Sequence, residues 1–347
     1  MSELPRIDPV DEAVRAEALA ELDRKTKPRR SLGQLETLAA QIAAVRGTVA
    51  PEPLRPAIVV VAADHGVAAE GVSAYPQEVT RQMLANFASG GAAISVLAGS
   101  VGAELHVVDA GVVEAFEHPA IRSLRLGSGT ANAASGPAMS RGDASEAIER
   151  GVDLARELVG SGANVLALGD MGIGNTTSAA ALACALLGRA PVDMCGPGTG
   201  LDARGISHKV DVVERMLATN RPTASDPLGA LAAVGGFEIG LLAGVALGAA
   251  ADGAVVVLDG FITGASALIA ARLEPALGGY LVASHRSPEP GHAPLLAALE
   301  LEALLDLGLR LGEASGAALA LPLLDAARAI LVEMATFEAA GVTDTGR

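Results

Sequence analysis

The sequence is poor in aromatic residues and in positive charge. It has no tryptophan among 347 residues, and Phe, Tyr and Trp together make up 2% of it. Its 40 acidic residues outnumber its 25 basic ones, which gives a formal net charge of −15. Nucleic acids and anionic membranes attract basic surfaces, and single-stranded nucleic acids also stack on aromatic rings. The composition therefore argues against either as the main partner.

Cysteines and long apolar runs are also scarce. The two cysteines, Cys184 and Cys195, are too few for a disulfide framework in a chain of this length. The most apolar stretch, Ile239–Ala251, lies between Glu238 and Asp252 and is shorter than the about 18 residues of a membrane span. The acidic N-terminus contains no apolar signal region. We therefore expect a soluble cytoplasmic protein.

Half of the residues are hydrophobic, enough for a large core. Short runs rich in Val, Leu and Ile alternate with helix-like segments, a pattern typical of βαβ units and of a parallel sheet covered on both faces. These predicted strands are 57–63, 104–110, 164–168, 254–259 and 280–284. Both chain ends read as helices. Ser31 and Gln34 have capping-box spacing at the start of the second one.

Four of the predicted strands end in a carboxylate. These residues are Asp64, Asp109, Asp170 and Asp259, and the fifth strand ends at His285. In open α/β sheets the ligand binds outside the carboxyl ends of the strands, so the pattern predicts a crevice lined with acid. The alternative is ordinary turn and helix-cap chemistry, in which Asp is common.

A glycine-rich loop, GDMGIGNTT, follows the third predicted strand. Its glycines follow G-x-x-G-x-G, which is not the dinucleotide fingerprint, and the Walker lysine is missing. Asn175, Thr176 and Thr177 can cap the next helix and donate hydrogen bonds to a phosphate there. The alternative is a tight strand-to-helix turn that binds no ligand.

Two further glycine-rich loops follow the same logic. CGPGTGLD contains Gly198, Thr199 and Gly200, and Lys209 lies further on as a suitable point charge for a phosphate. GSGTANAASGPAMS is either a third such loop or a flexible surface loop. SHRSPEPGH holds two of the six histidines without metal-ligand spacing, so we predict no metal site there.

One carboxylate and one set of apolar and aromatic side chains are the remaining candidates for site residues. Glu313 lies between glycines, where burial would raise its pKa and suit it as a general base, unless it is simply a helix N-terminal residue. Tyr75, Met83 and Phe87 form either a flat slot for an aromatic ligand or part of the core. Core is the better reading for Phe87.

These stretches together resemble one family, the nicotinate-nucleotide–dimethylbenzimidazole phosphoribosyltransferases of cobalamin lower-ligand assembly. The resemblance covers nearly the whole chain and rests on the order and spacing of its motifs. These are SLGQLE, ADHGV, PQEVT, GPAMSR, GIGNTT, GTGLD, HKVDVV, VGGFEI, VLDGF, EPGH and LGEASGAALALPLL. It implies an α/β fold with a Rossmann-like parallel sheet, helices on both faces, and a small helical domain built from both chain termini.

The domains implied are 1–48 and 291–347, which together make the small helical domain, and 49–290, the Rossmann-like domain. The resemblance also implies a homodimer in which the neighbouring subunit helps to close each active site, and it implies no metal or redox cofactor. The reaction would move the phosphoribosyl group of nicotinate mononucleotide to a benzimidazole nitrogen, with inversion from β- to α-riboside.

By the same resemblance, Glu313 is the general base and Asp170 occupies the second active-site carboxylate, where the family usually has Glu. We assign the phosphoribosyl group to Gly174, Asn175, Thr176, Thr177, Gly198, Thr199, Gly200 and Lys209. Tyr75 and Met83 stand where some relatives have Ser and Gln that bind the benzimidazole, so the acceptor base stays open.

Other classes of protein remain as alternatives. The strand-end aspartates would also suit a magnesium-dependent nucleotide or sugar-phosphate enzyme. A non-catalytic nucleotide-binding regulatory protein of the same fold would not need Glu313. The missing fingerprint makes a dehydrogenase a weaker candidate.

Overall fold

The computed structural model describes residues 4–344. Its centre is one sheet of six parallel strands in the order β3-β2-β1-β4-β5-β6, the order of doubly wound dinucleotide-binding folds. The strands are β1 Pro56–Ala63, β2 Glu104–Gly111, β3 Ile121–Ser123, β4 Val165–Met171, β5 Val255–Leu258 and β6 Leu281–Ala283.

Helices form the connections and both ends of the chain. The α-helices are α1 Glu12–Arg24, α2 Gln34–Arg46, α3 Glu78–Ala88, α4 Ala93–Val101, α5 Arg141–Gly160, α6 Asn175–Leu187, α7 Pro191–Met194, α8 Ala203–Asn220, α9 Pro227–Val234, α10 Phe237–Ala251, α11 Phe261–Leu273, α12 His292–Ala298, α13 Ser315–Glu333 and α14 Phe337–Ala340. Two 3-10 helices span Gly66–Glu70 and Pro275–Tyr280.

The five predicted strands are confirmed, with ends that shift by a few residues. The sequence prediction missed β3, which has three residues, two of them the exposed polar Arg122 and Ser123. The predicted capping box at Ser31 is wrong. Helix α2 begins after Gly33, and the Glu36 carboxylate instead accepts a hydrogen bond from the Leu32 backbone N–H at 3.0 Å.

The apolar stretch Ile239–Ala251 is part of α10, which is buried along its whole length up to the last residue. It crosses α5 at close range. A Cβ on Gly151 of α5 would collide with the carbonyl oxygen of Leu241, and one on Gly244 of α10 would collide with that of Ile148. Glycine thus lets the two backbones touch, and α10 packs in turn against β1, β2, β4 and β5.

Helices from the two ends of the chain pack together. α2 contacts both α1 and α13. Lys25 and Thr336 form an isolated antiparallel bridge, and the Thr26 N–H donates to the Ala335 carbonyl at 3.1 Å. This packing supports a helical unit made from both termini, and the division at residues 48 and 290 stays a prediction.

Two stretches are long and apolar enough, by length and composition alone, to cross a membrane: Glu78–Val101 and Ser315–Glu333. The second is α13, and more than half of its apolar window is buried inside the protein. The first comprises α3 and α4, which the turn at Ser89–Ala92 separates. Core helices of soluble proteins have the same composition, so neither stretch indicates a membrane protein.

β1 is hydrogen-bonded to β2 on one side and to β4 on the other, so the chain changes direction across the sheet at this point. Because all strands are parallel, their carboxyl ends lie at one edge. In folds of this type a crevice opens there, outside the reversal point.

Candidate active site

A cavity of about 340 Å³ opens at the carboxyl edge of the sheet. Its wall combines the end of β4, the first turn of α6, the loop before α8, the loops after β5 and β6, and the loop before α13. Its lining residues include Tyr75, Asp170, Asn175, Thr176, Gly198, Thr199, His285, Ser287, Glu289, Arg310 and Gly312.

Asp170, near the end of β4, brings a carboxylate into this cavity. The Asn175 side chain donates to Asp170 Oδ2 at 2.8 Å. Burial raises the pKa of Asp170 to about 7, and the nearby charges of Glu238 and Glu313 act in the same direction. The side chain is therefore held close to the balance between its protonated and ionised forms at neutral pH.

Among the described residues, the other strand-end aspartates do not line this cavity. Asp64 Oδ2 accepts a hydrogen bond from the Val113 N–H at 2.8 Å. Asp109 Oδ1 accepts from the N–H groups of Gly111 and Val112, and Oδ2 pairs with Arg125 at 2.6 Å. Asp259 accepts from the first turn of α13. Three of the four thus have the turn and cap roles of the alternative interpretation.

Glu313 lies next to the cavity in an unusual backbone segment. Gly312, Glu313 and Ala314 all have left-handed φ values, of 82°, 61° and 63°. Side chains are strained in this region, and such strain concentrates at functional sites. The Glu313 N–H donates to the carbonyl oxygen of Asp170 at 3.2 Å, which joins the two predicted catalytic residues.

The Glu313 carboxylate itself is buried. Gly312 lines the cavity, whereas the Glu313 side chain lies beyond that wall. Burial raises the pKa of Glu313, and the backbone N–H of Ile94 at the start of α4 partly opposes this. Its Oε2 atom has no hydrogen-bond partner among residues 4–344. A buried carboxylate with a free oxygen suits a group that takes up a proton.

Only some residues of the first predicted phosphate loop line the cavity. Asn175 and Thr176 line the cavity, while Gly174 and Thr177 lie behind them. Gly174 ends the approach to α6 with φ 95°, and its Cα faces the His65 side chain. The cavity thus faces the first turn of α6, where the helix dipole favours anions.

In the second predicted loop, Gly198 and Thr199 line the cavity and Gly200 does not. Lys209 is fully buried behind this loop, and its Nζ donates to Thr176 Oγ1 at 2.7 Å. Burial lowers the pKa of Lys209, and the charge of Glu289 opposes that shift. The ammonium therefore supports the loops from behind, without lining the cavity.

Of the two residues predicted to contact the acceptor base, one lines the cavity and the other does not. Tyr75 lines the cavity at its mouth and is 55% exposed. Met83, on α3, is partly buried and lies outside the cavity wall, with its sulfur 4.0 Å from the Asn86 amide nitrogen. Phe87 is a buried core residue, as predicted.

Several cavity residues were missed from the sequence. Glu289 Oε1 accepts a hydrogen bond from the Gly198 N–H at 2.8 Å, and so occupies a donor of the predicted phosphate loop. Arg310 provides the one Arg or Lys side chain in the described cavity wall. Glu289 opens the motif EPGH and Arg310 directly precedes LGEASG, but no local spacing marks either as a site residue.

A buried histidine lies beneath α6. His65 Nε2 is 2.7 Å from Glu238 Oε1, and Nδ1 is 3.0 Å from Ser178 Oγ. Burial lowers the pKa of His65, but the charges of Glu238, Asp64 and Asp170 outweigh burial and raise it overall. Through these two contacts His65 joins Ser178 of α6 to Glu238 of α10. Within residues 4–344 no group of three or more His, Cys, Asp or Glu side chains is arranged to hold a metal ion.

Comparisons with known proteins agree with this architecture. A family model described as "Phosphoribosyltransferase" matches residues 7–342. A protein of Roseiflexus sp. (strain RS-1), named nicotinate-nucleotide–dimethylbenzimidazole phosphoribosyltransferase, is 52% identical over 341 residues, which cover 98% of this chain and 97% of the relative. A protein of the same name from Pseudomonas putida (strain KT2440) is 53% identical over 97% of this chain and 96% of its own length.

Solved structures agree as well. The crystal structure of CobT from Thermus thermophilus superposes with a TM-score of 0.92 at 50% identity, covering 95% of this chain and 99% of that one. A second structure from that organism, described as the nicotinate-nucleotide–dimethylbenzimidazole enzyme, gives a TM-score of 0.91 at 49% identity, covering 96% and 99% of the two chains. Identity at this level over nearly full length, together with the shared fold, shows that the chain belongs to the nicotinate-nucleotide–dimethylbenzimidazole phosphoribosyltransferase family.

Proposed function

We propose that this phosphoribosyltransferase moves the 5-phosphoribosyl group of nicotinate mononucleotide to dimethylbenzimidazole or a similar lower-ligand base. The products are nicotinate and α-ribazole phosphate. The observation that carries the proposal is the link between two buried carboxylic residues, Asp170 and Glu313, beside a glycine-rich helix start. A substrate with an anionic phosphate and a cationic pyridinium ribose requires both features.

The bond changes assign a task to each carboxylate. The bond from ribose C1′ to the pyridinium nitrogen breaks, and its electron pair neutralises the leaving nicotinate ring. A benzimidazole nitrogen attacks C1′ from the opposite face, which inverts β to α. Asp170 stabilises the positive charge that develops on the ribose. Glu313 takes the proton that the benzimidazole N–H loses.

The phosphate is assigned to the first turn of α6 and to the Gly198–Thr199 loop. Asn175 and Thr176 supply side-chain donors there, with Lys209 behind them. Gly174, Thr177 and Gly200 shape the loops from outside the cavity wall. Tyr75 at the mouth is the candidate contact for the acceptor base, and Met83 contributes only if α3 shifts toward the site.

We also propose a cytoplasmic homodimer, in which a second subunit covers the mouth of the cavity. Exposed apolar surface supports it. Tyr75 and Leu311 line the mouth with 55% and 56% of their surface exposed, and Val96 on α4 is 66% exposed. Contiguous exposed apolar surface marks interaction sites in soluble proteins, so these side chains are the candidates for the dimer contact.

The direct test incubates the purified protein with nicotinate mononucleotide and a panel of bases, and follows the products by mass spectrometry. The panel contains dimethylbenzimidazole, benzimidazole, adenine and a cresol, each with and without EDTA. We expect nicotinate release and an α-riboside phosphate, with EDTA making no difference. Loss of activity in EDTA would favour the magnesium-dependent alternative, and tight nucleotide binding without turnover would favour the regulatory one.

The Glu313→Gln variant tests the base. We expect kcat to fall by at least about 100-fold, the scale of a lost general base, while the Kd for nicotinate mononucleotide changes little. Gln keeps the size of the side chain, so the fold is preserved. Equal losses in turnover and in nucleotide binding would give Glu313 a structural role instead.

A further inference from the structure

The loop that carries Glu313 is held between two strand ends. A Cβ on Gly169 of β4 would collide with the backbone of Ala314. On the other side, a Cβ on Gly316 would collide with the His285 ring. The left-handed segment Gly312–Ala314 therefore has little room to shift unless the contacts below it change.

Asp259, directly after β5, supplies those contacts. Its Oδ1 accepts hydrogen bonds from the Gly316 N–H at 2.7 Å and the Ala317 N–H at 3.1 Å. These are first-turn donors of α13, and the residue at the N-cap position, Ala314, has no side chain that could accept them. A residue 57 positions earlier in the sequence thus caps the 19-residue helix that follows Glu313.

The capping carboxylate is buried. Asp259 is 1% exposed, and its Oδ2 has no hydrogen-bond partner among the described residues. His285 Nδ1 lies 3.7 Å from Asp259 Oδ1 and 3.0 Å from Ser284 Oγ. No other described side chain replaces Asp259 as the acceptor for the two amides.

We propose that Asp259 is a positioning residue for the transfer reaction: by capping α13 from the end of β5, it fixes the strained segment that places Glu313 beside Asp170. The inference rests on the proposed role of Glu313 as the base. Asp259 acts through Glu313 and does not touch the substrates. It therefore affects proton removal from the acceptor base and leaves nucleotide binding intact.

The size of the effect follows from the geometry. A catalytic group displaced by about 1 Å can lose about 100-fold in rate. Asp259→Ala removes both hydrogen bonds to the first turn of α13, so the turn frays and the left-handed segment relaxes. Asp259→Asn keeps an acceptor oxygen at the same place, and should restore most of the activity.

The experiment measures kcat and KM for nicotinate mononucleotide, with dimethylbenzimidazole, in Asp259→Ala and Asp259→Asn. For Asp259→Ala we expect kcat to fall about 30- to 100-fold and KM to stay within about threefold. Asp259→Asn should stay within about tenfold of the wild-type kcat. Asp109→Ala is the matched control, because Asp109 also accepts two backbone N–H groups after a strand but lies outside the site. Its kcat should be unchanged.

A double variant shows whether Asp259 acts through Glu313. In the Glu313→Gln background, Asp259→Ala should cause no further loss of kcat, since the group it positions is already gone. Additive losses, a rise in KM equal to the fall in kcat, or a wild-type kcat in Asp259→Ala would each overturn the inference. If Asp259→Ala does not fold by circular dichroism, Asp259→Ser replaces it, because the shorter side chain cannot reach both amides.

These outcomes are separable from failure of the proposed function. If the wild-type protein turns over no base, the proposed function fails. If Glu313→Gln keeps full activity, the proposed role of Glu313 fails while the function stands, and both results come before Asp259 is tested. If the wild type is active and Glu313→Gln is not, the Asp259 variants decide the inference alone.

Discussion

Asp170 has to be negatively charged to stabilise a cationic transition state, yet its surroundings favour the protonated acid. Burial raises its pKa to about 7. We therefore predict that kcat/KM for nicotinate mononucleotide rises with pH and levels off above about 7. In Asp170→Asn, kcat/KM should be much lower at every pH, and its rise near pH 7 should be absent. Initial rates of nicotinate release over pH 5 to 9 measure this, and an unchanged profile in the variant would assign the titration to another group.

The same shift has a consequence for stability that serves as a control. Between the ordinary pKa of 3.8 and about 7, folded Asp170 keeps a proton that the unfolded chain has released. Its contribution to stability is therefore complete below 3.8 and is lost as the pH rises through about 7. The melting temperature of Asp170→Asn, relative to wild type, should be higher at pH 8 than at pH 5. A constant difference would contradict a raised pKa.

Arg310 is the cation available to a ligand carboxylate in the described cavity wall. Nicotinate mononucleotide has a carboxylate on its ring, and the nicotinamide form has a neutral amide. We predict that Arg310→Ala weakens binding of the nicotinate form about tenfold, the scale of one charge-assisted hydrogen bond. Binding of the nicotinamide form should change little, as isothermal titration would show. Arg310→Lys, which keeps the charge, is the matched control, and equal losses for both nucleotides would place Arg310 elsewhere.

The fit between sequence and structure at the level of elements depends on how local the signal is. The five predicted strands were found because runs such as Ile58–Val61 are continuously apolar, as strands buried on both faces are. The three-residue β3 has no such run. The role of Asp259 was not predictable, because its partners Gly316 and Ala317 lie more than 50 residues away and no local pattern links them.

The site shows the same division. Asp170, Asn175, Thr176, Gly198 and Thr199 were found from glycine spacing and family resemblance, and all line the cavity. The sequence could not tell which members of each motif face the ligand, since this depends on helix phase and on what packs behind the loop. Lys209, which was predicted to bind the phosphate, is buried behind the loop. Glu289, which was not predicted, lines the cavity wall.

The contact between α5 and α10 gives a prediction about one element pair. Gly151→Ala places a methyl group against the Leu241 carbonyl, so we expect a loss of about 1 to 3 kcal/mol in unfolding free energy from overpacking. Gly160→Ala lies on the same helix with no atom within 4 Å of the new Cβ. It should be neutral or slightly stabilising. Urea denaturation measures the unfolding free energy of both variants. Equal changes in the two would mean that α5 and α10 can move apart without loss of stability.

For the whole molecule, the proposed dimer predicts a different response at two exposed valines. Val96 on α4 and Val192 on α7 are 66% and 68% exposed. Val96→Lys puts a charge on the exposed face of α4 and should shift the protein to monomers, with a fall in activity. Val192→Lys should leave the dimer intact. Sedimentation velocity gives the result, and a monomeric wild type would remove the proposal.

The bridge between Lys25 and Thr336 places the segment that follows α1 beside the segment that follows α13. Segments from the beginning and the end of the sequence thus belong to one helical unit. The fold should therefore depend on the contacts between segments more than on their order along the chain. A circular permutant that joins the first and last residues with a flexible linker, and opens at the exposed turn between α6 and α7, should still bring Asp259 under α13 and Glu313 next to Asp170. A chain truncated before Glu313 would instead keep all six strands of the sheet and lose the proposed base.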